Sequence, residues 1–270
     1  MGTWTALDLF APEGRVVVTL LLFRLTGLLW LAPVFSSRAI PGKIRVAAAL
    51  LLTFMLMPLA AESLPRGTEL TAPHILSEIL IGMILGLGAA IFVGAAEAAG
   101  DMLAVQMGLS GANVLDPMSE TQLPVLGQFL GLFTVSLMLA TGGHLVILDS
   151  LTASFAVLPL GSGLQTSPGV AAVIRLGGSL LWLGLKFAAP VVAAMMVGNV
   201  ALGILARTVP QLNVLMVAFP VQIAIGLFVL GAALPLMAGF FGGWNGMYRE
   251  LVGGLLSRFG PGPGPMPGGY

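Results

Sequence analysis

The chain has 270 residues, of which 57% are hydrophobic and only 8% charged, with no cysteine and a formal net charge of +0. A soluble domain carries about 25% charged residues, so most of this exterior has to face lipid or other protein, in keeping with a mean hydropathy of +1.03. The neutral balance excludes an electrostatic nucleic-acid binder. The lack of cysteine excludes disulfide scaffolds and thiolate chemistry, and two histidines, His74 and His144, leave little for an imidazole metal site.

The first fifteen residues contain Asp8 and Glu13 and one base, Arg15. The positive region of a cleaved signal is therefore missing, and the first apolar run reads as a retained anchor. A crossing needs about 17 to 25 apolar residues, and such windows fall near 16–35, 44–61, 75–99, 123–148, 170–200 and 212–241. The pattern predicts an all-α integral membrane protein of about six hydrophobic helices, some of them broken. The second window is short, and the fifth is long enough to tilt, kink or contain two pieces. One helical membrane domain is expected over 16–258, after an N-terminal segment 1–15 and before a Pro/Gly-rich tail 259–270. That tail can neither form a helix nor bury a core, and should stay disordered or extended.

Three breaks interrupt the apolar pattern. Pro41-Gly42 stops one helix before another begins, and the surrounding turn holds Arg38, Lys43 and Arg45 without an acid, which favours the cytoplasmic side. The second break contains Gln106, Met107, Gly108, Leu109, Ser110, Gly111, Ala112, Asn113, Asp116 and Pro117. It is too apolar for a solvated loop and too rich in Gly, Asn and Pro for a plain helix. Irregular backbone at membrane depth survives only when buried in protein or lining a wet cavity, so a re-entrant or pore-facing element is expected, with an exposed connector as the alternative. The third break, with Arg207, Pro210, Gln211 and Asn213, separates the last two segments, and Pro220 follows inside the last.

Ionisable groups in apolar segments cost on the order of 2.5–3.5 kcal/mol at a helix centre and usually face a partner or a wet cavity. Arg24 lies in the middle of the first segment, Lys186 in the fifth, and Glu97 and Asp101 close the third. Four residues apart, the two carboxylates share one face of any continuing helix. Each of these groups can form a buried ion pair or line a polar pathway between helices, while Lys186 can snorkel to an interface. Gly82-xxx-Gly86, Gly127-xxx-Gly131 and Gly239-xxx-Gly243 match the spacing that lets helix backbones approach closely.

Gly108-Leu-Ser110-Gly111, with His144 downstream, resembles the serine motif of rhomboid intramembrane proteases. The upstream histidine and asparagine of those enzymes are missing, so Ser110 reads as a small residue in a turn and His144 as a helix-start or packing residue. A small secondary transporter would suit broken helices and buried charges, but the two halves carry no evident repeat. No phosphate loop, dinucleotide fingerprint or metal-ligand cluster is present, so no enzyme activity and no cofactor are expected.

Taken in order, several pieces resemble the FliR family of flagellar biosynthetic proteins and its counterparts in virulence type III secretion. They are Phe23-Arg24 to Gly27, Ala32 to Phe35, Arg38 to Pro41, Gly100-Asp101 leading into Gln106 to Gly108, Asp116-Pro117, Gly142 to His144, Leu158-Pro159, Gly161, Leu202 to Arg207, Pro210 to Asn213 and Phe219-Pro220. The resemblance implies a structural subunit of the type III protein export gate in the bacterial inner membrane, within the flagellar basal body. It implies helical hairpins like a fusion of P-type and Q-type gate subunits. The implied partners are those P and Q subunits, the B subunit at the channel entrance, other basal-body proteins and unfolded substrates in transit. It assigns the stretch up to Pro117 to a plug that closes the channel, and makes Arg24, Glu97, Asp101 and Arg207 candidates for inter-subunit contacts.

Overall fold

The first helix, α1 (Pro12–Leu31), opens with Pro12 and Glu13 in its first turn. A proline there loses no needed donor, and the acid faces the positive end of the helix dipole. Pro33 disfavours helical backbone at the residue before it, so Ala32 is extended and its N–H caps the Leu28 carbonyl at 2.9 Å. One turn follows, α2 (Pro33–Ser36), and Pro41 then leads into α3 (Gly42–Ser63). The remaining helices are α4 (Ala72–Gln106), α5 (Val125–Ala140), α6 (Gly143–Val157), α7 (Thr166–Thr208), α8 (Val214–Gly242) and α9 (Trp244–Phe259). This computed structural model describes residues 11–37, 40–109, 125–163, 166–208 and 214–259, and among them there are only helices and their connections.

Five helices are long and apolar enough to cross a membrane, or six if α5 and α6 count as one broken span. The expected window 123–148 is in fact two helices. Gly142 adopts φ 73° between them, a conformation that glycine enters without a steric penalty. Apolar composition continues across that break, so hydropathy alone does not reveal it. The fifth window is one helix of 43 residues that passes through Pro190, and α4 continues to Gln106, beyond the expected end near residue 99. The sequence windows missed α9, whose Arg249, Glu250 and Arg258 make it too polar for a span. Prolines also lie inside α3 (Pro58) and α8 (Pro220 and Pro235).

The described chain divides into two units. Unit 1 comprises Met1–Ala90, Gly142–Gly177 and Asn245–Tyr270, and unit 2 comprises Ile91–Thr141 and Gly178–Trp244. In unit 1, α3 lies along α1 and also touches α6. The N-terminal half of α4 crosses α1 where neither helix has a side chain in the way. A Cβ on Gly82 would strike the Arg24 carbonyl, one on Gly86 would lie 2.7 Å from the Leu28 carbonyl, and one on Gly27 would strike that of Ile79. Val17, Leu20, Leu21, Leu25 and Leu28 are wholly buried around this crossing. From α9, the Tyr248 hydroxyl donates to the Leu85 carbonyl at 3.0 Å. Burial pushes its phenol above the ordinary tyrosine range, and a hydrogen bond with Ser150 opposes that shift.

In unit 2 the C-terminal half of α4 crosses α5 at Gly100, where a Cβ would lie 2.5 Å from the Leu126 carbonyl. Gly184 of α7 sits beside the Ala95 carbonyl, and Gly198 faces Ile225 of α8. Phe92 meets Trp244 edge to face at 5.7 Å, and the Trp244 indole N–H donates to Thr141 Oγ1 at 3.0 Å.

Candidate functional site

The first polar centre lies inside unit 1. Arg24 and Glu78 are both fully buried, and Arg24 Nε donates to Glu78 Oε2 at 2.5 Å. The other guanidinium nitrogens donate to Ser154 Oγ and to the Leu158 carbonyl, each at 3.0 Å. The cation also lies 5.2 Å from the Phe155 ring centroid. Glu78 Oε1 accepts the Gly161 N–H at 2.8 Å, in a turn where Gly161 has φ 72°. One charge pair thus ties α1, α4, the end of α6 and the turn after it. Removing one partner of such a pair strands a buried charge, which is why its integrity matters more than its Coulomb energy suggests. All three guanidinium nitrogens of Arg24 are used within the chain. Sequence reasoning singled out Arg24 but missed Glu78; an acid inside the third apolar window was the available signal.

The second centre lies in unit 2. Glu97 and Asp101 stand one turn apart on α4, both exposed, directly over the glycines of α5. A Cβ on Gly127 would strike the Asp101 carboxylate, and one on Gly131 would lie 2.6 Å from Glu97 Oε1. Two features found separately in the sequence, the carboxylate pair and Gly127-xxx-Gly131, therefore meet. The glycines supply room and no donor, and among the described residues neither carboxylate has an ion-pair partner. Nearby, α4 ends in a turn in which Met107 is fully buried. Its side chain fills the notch left by Gly226 of α8, while Gly108, at φ 73°, leaves space for Phe219 and Gln222. Gln222 Nε2 donates to Asn199 Oδ1 at 2.9 Å, joining α8 to α7.

Gln106 and Leu109 are also described, Leu109 being 40% exposed. Ser110, Gly111, Ala112, Asn113, Asp116, Pro117, Pro210, Gln211, Asn213 and Arg38 lie outside the described residues. His144 is the second residue of α6 and half-buried. Lys186 is exposed, with Nζ 3.7 Å from the Trp182 ring centroid one turn earlier. Arg207 is exposed in the last turn of α7, where a cation complements the carbonyl end of the helix. Pro41 and Gly42 form the start of α3, and Pro220 is exposed within α8. Of the three small-residue repeats, Gly82/Gly86 and Gly127/Gly131 are crossing points, whereas among the described residues nothing lies within 4 Å of a Cβ on Gly239. Among the described residues no group of three or more His, Asp or Glu could hold a metal ion.

The family profile described as bacterial export proteins, family 1, matches residues 16–245. Flagellar biosynthetic protein FliR of Escherichia coli K12 is 32% identical over 220 residues, covering 81% of this chain and 84% of that protein. The chain belongs to the FliR family of bacterial export proteins. The FliR of Pectobacterium carotovorum is 33% identical over 218 residues, 80% of this chain and 84% of its own, and that of Bacillus subtilis 31% identical over 233 residues, 83% and 86%. The FliR-family match takes in both polar centres, the turn after α4 and the exposed helices of unit 2.

Proposed function

We propose that this chain is a structural subunit of the flagellar protein export apparatus, located in the bacterial inner membrane as part of the gate through which unfolded proteins leave. The observation that carries the reading is the FliR-family match across residues 16–245. The surface of unit 2 supports it. Only 17% of the apolar window is buried in each of the spans Leu181–Thr208 and Val217–Gly239, and Glu97 and Asp101, exposed beside the glycines of α5, have no ion-pair partner among the described residues. Such a surface suits neighbouring P and Q subunits that cover apolar helix and bring their own donors. The wider resemblance to a fused P and Q unit, and contact with the B subunit at the entrance, belong to the same proposal.

Within that assembly, the stretch from Gln106 to Pro117 acts as the plug. The described root of that stretch, Met107 and Gly108, packs against α8. The chain is not the motor and not an enzyme: it gates the path and templates its neighbours. The test is the native mass of the tagged chain after co-expression with its P and Q neighbours in mild detergent. A single large complex with one copy of this chain and several of each neighbour is expected, and a monomer or small homo-oligomer that ignores them would refute the reading. For the plug, deleting residues 110–117 is expected to make cells leak small ions; unchanged impermeability together with normal secretion would refute it.

A further inference from the structure

Charge is segregated along the chain. Between Arg66 and Arg175 the sequence has acids but neither lysine nor arginine, and between Asp149 and Glu250 it has Arg175, Lys186, Arg207 and Arg249 but no acid. Arg249 pairs with Asp149, whereas Lys186 has no ion-pair partner among the described residues. Its Nζ lies 3.7 Å from the Trp182 ring centroid, a contact that engages the charge but offers its N–H donors no acceptor atom. The face of α7 around it is otherwise apolar. Leu181, Trp182 and Leu185 are each more than half exposed, as are Met196 and Val200 further along the same stripe.

The other side of α7 is the one packed within unit 2. Gly184 lies beside the Ala95 carbonyl of α4, and Leu183, Phe187, Ala188 and Val191 are buried. At about 100° per residue, Lys186 stands roughly 200° round the helix from Gly184, turned away from α4. Glu97 and Asp101 lie along the glycines of α5, and neither pairs with it.

An ammonium is strongly hydrated, and covering it costs free energy unless an opposite charge comes with the cover. This face therefore disfavours a purely apolar partner or a cationic one, and is complementary to an apolar helix that carries a single acid. One ion pair inside an apolar contact also selects one register, because sliding either helix strands both charges. Resting on the export-apparatus reading, we propose that the α7 face around Lys186 docks an apolar helix of a neighbouring gate subunit through one carboxylate. That pair fixes the register of the two helices.

The experiment co-expresses the tagged full chain with its P and Q neighbours and measures the yield of complex in mild detergent, beside the melting of the chain alone. Lys186→Leu is expected to cut the yield about tenfold, since it leaves the partner's carboxylate covered and unpaired, while the chain alone melts like the parent. Lys186→Arg should keep most of the complex. Lys186→Glu should lose it, and one acid-to-lysine change in an apolar helix of a neighbour should restore it. A parent-like yield from Lys186→Leu would overturn the pairing and leave the gate reading standing. Failure of the parent chain to form any complex would sink the gate reading, and this inference with it. A matching fall in the melting of the Lys186→Leu chain alone would make the lysine a residue of the fold and the proposal wrong. Loss of bound anionic lipid with every subunit retained would make the partner a phospholipid, which also overturns it.

Discussion

Unit 1 and unit 2 handle polarity in opposite ways. In unit 1 the most costly charge, Arg24, is enclosed and met by Glu78, Ser154 and the Leu158 carbonyl, and half of the apolar window of α1 is buried. In unit 2 the carboxylates of Glu97 and Asp101 lie exposed along the glycines of α5, without an ion-pair partner among the described residues, and the two long spans are largely bare. Each unit uses a pair of glycines four residues apart, but the neighbours differ. Gly82 meets backbone, whereas Gly131 meets the movable end of a glutamate. The polar centre of unit 1 is thus completed by its own chain, while that of unit 2 is left without an ion-pair partner among the described residues.

The sharpest way to break this contrast is to remove one partner of the enclosed pair. Arg24→Ala is expected to strand Glu78 and cost about 3–5 kcal/mol, seen as a large fall in melting temperature and in the amount of chain retained in membranes. Replacing both residues by methionine should restore most of it. A single variant that melts like the parent would show that the pair is not what holds unit 1.

Next in size is Gly82→Val, expected to cost on the order of 1–3 kcal/mol by overpacking, because the Arg24 carbonyl it meets belongs to a helix that has to move. Gly131→Val should cost clearly less, since Glu97 can swing away into open space. Equal losses in parallel thermal melts would mean that the second crossing is as rigid as the first. Glu97→Gln with Asp101→Asn is expected to leave the melting of the isolated chain unchanged and to lower the yield of the P- and Q-containing complex a few-fold. That is about 1 kcal/mol in assembly, and a loss confined to the isolated chain would contradict a role in assembly. Smallest of all is Asp149→Asn. It breaks a 2.9 Å ion pair with Arg249 whose side chains are 58% and 59% exposed. The expected cost is under about 1 kcal/mol and vanishes with added salt.

Much of this was legible in the sequence for specific reasons. The helical class followed from apolar windows of bilayer length, the break at Pro41-Gly42 from turn chemistry, and the importance of Arg24 from the cost of a charge amid leucines. Glu78 was harder, because no periodicity links residues 54 positions apart, and an acid near the start of a span resembles an ordinary interfacial residue. The helix break at Gly142 falls inside a window that is apolar on average; the Gly142-Gly143 pair and the reading of His144 as a helix-start residue were its signals in the sequence. Gly239 had the same spacing signal as Gly82 and meets no neighbouring helix among the described residues. Spacing says that a close approach is possible, and only a second helix makes it one.

The sequence distances within the Arg24 cluster set an order of events during synthesis. Glu78 follows Arg24 by 54 residues, and Ser154 by 130. At about 5–20 residues per second, Arg24 leaves the ribosome roughly 3 to 11 seconds before its counter-ion. Its hydroxyl partner arrives later again. During that interval α1 carries an unneutralised cation in its apolar middle and has reason to wait at the insertion machinery. The nascent chain is expected to hand α1 and α4 to the bilayer together, as one neutral pair.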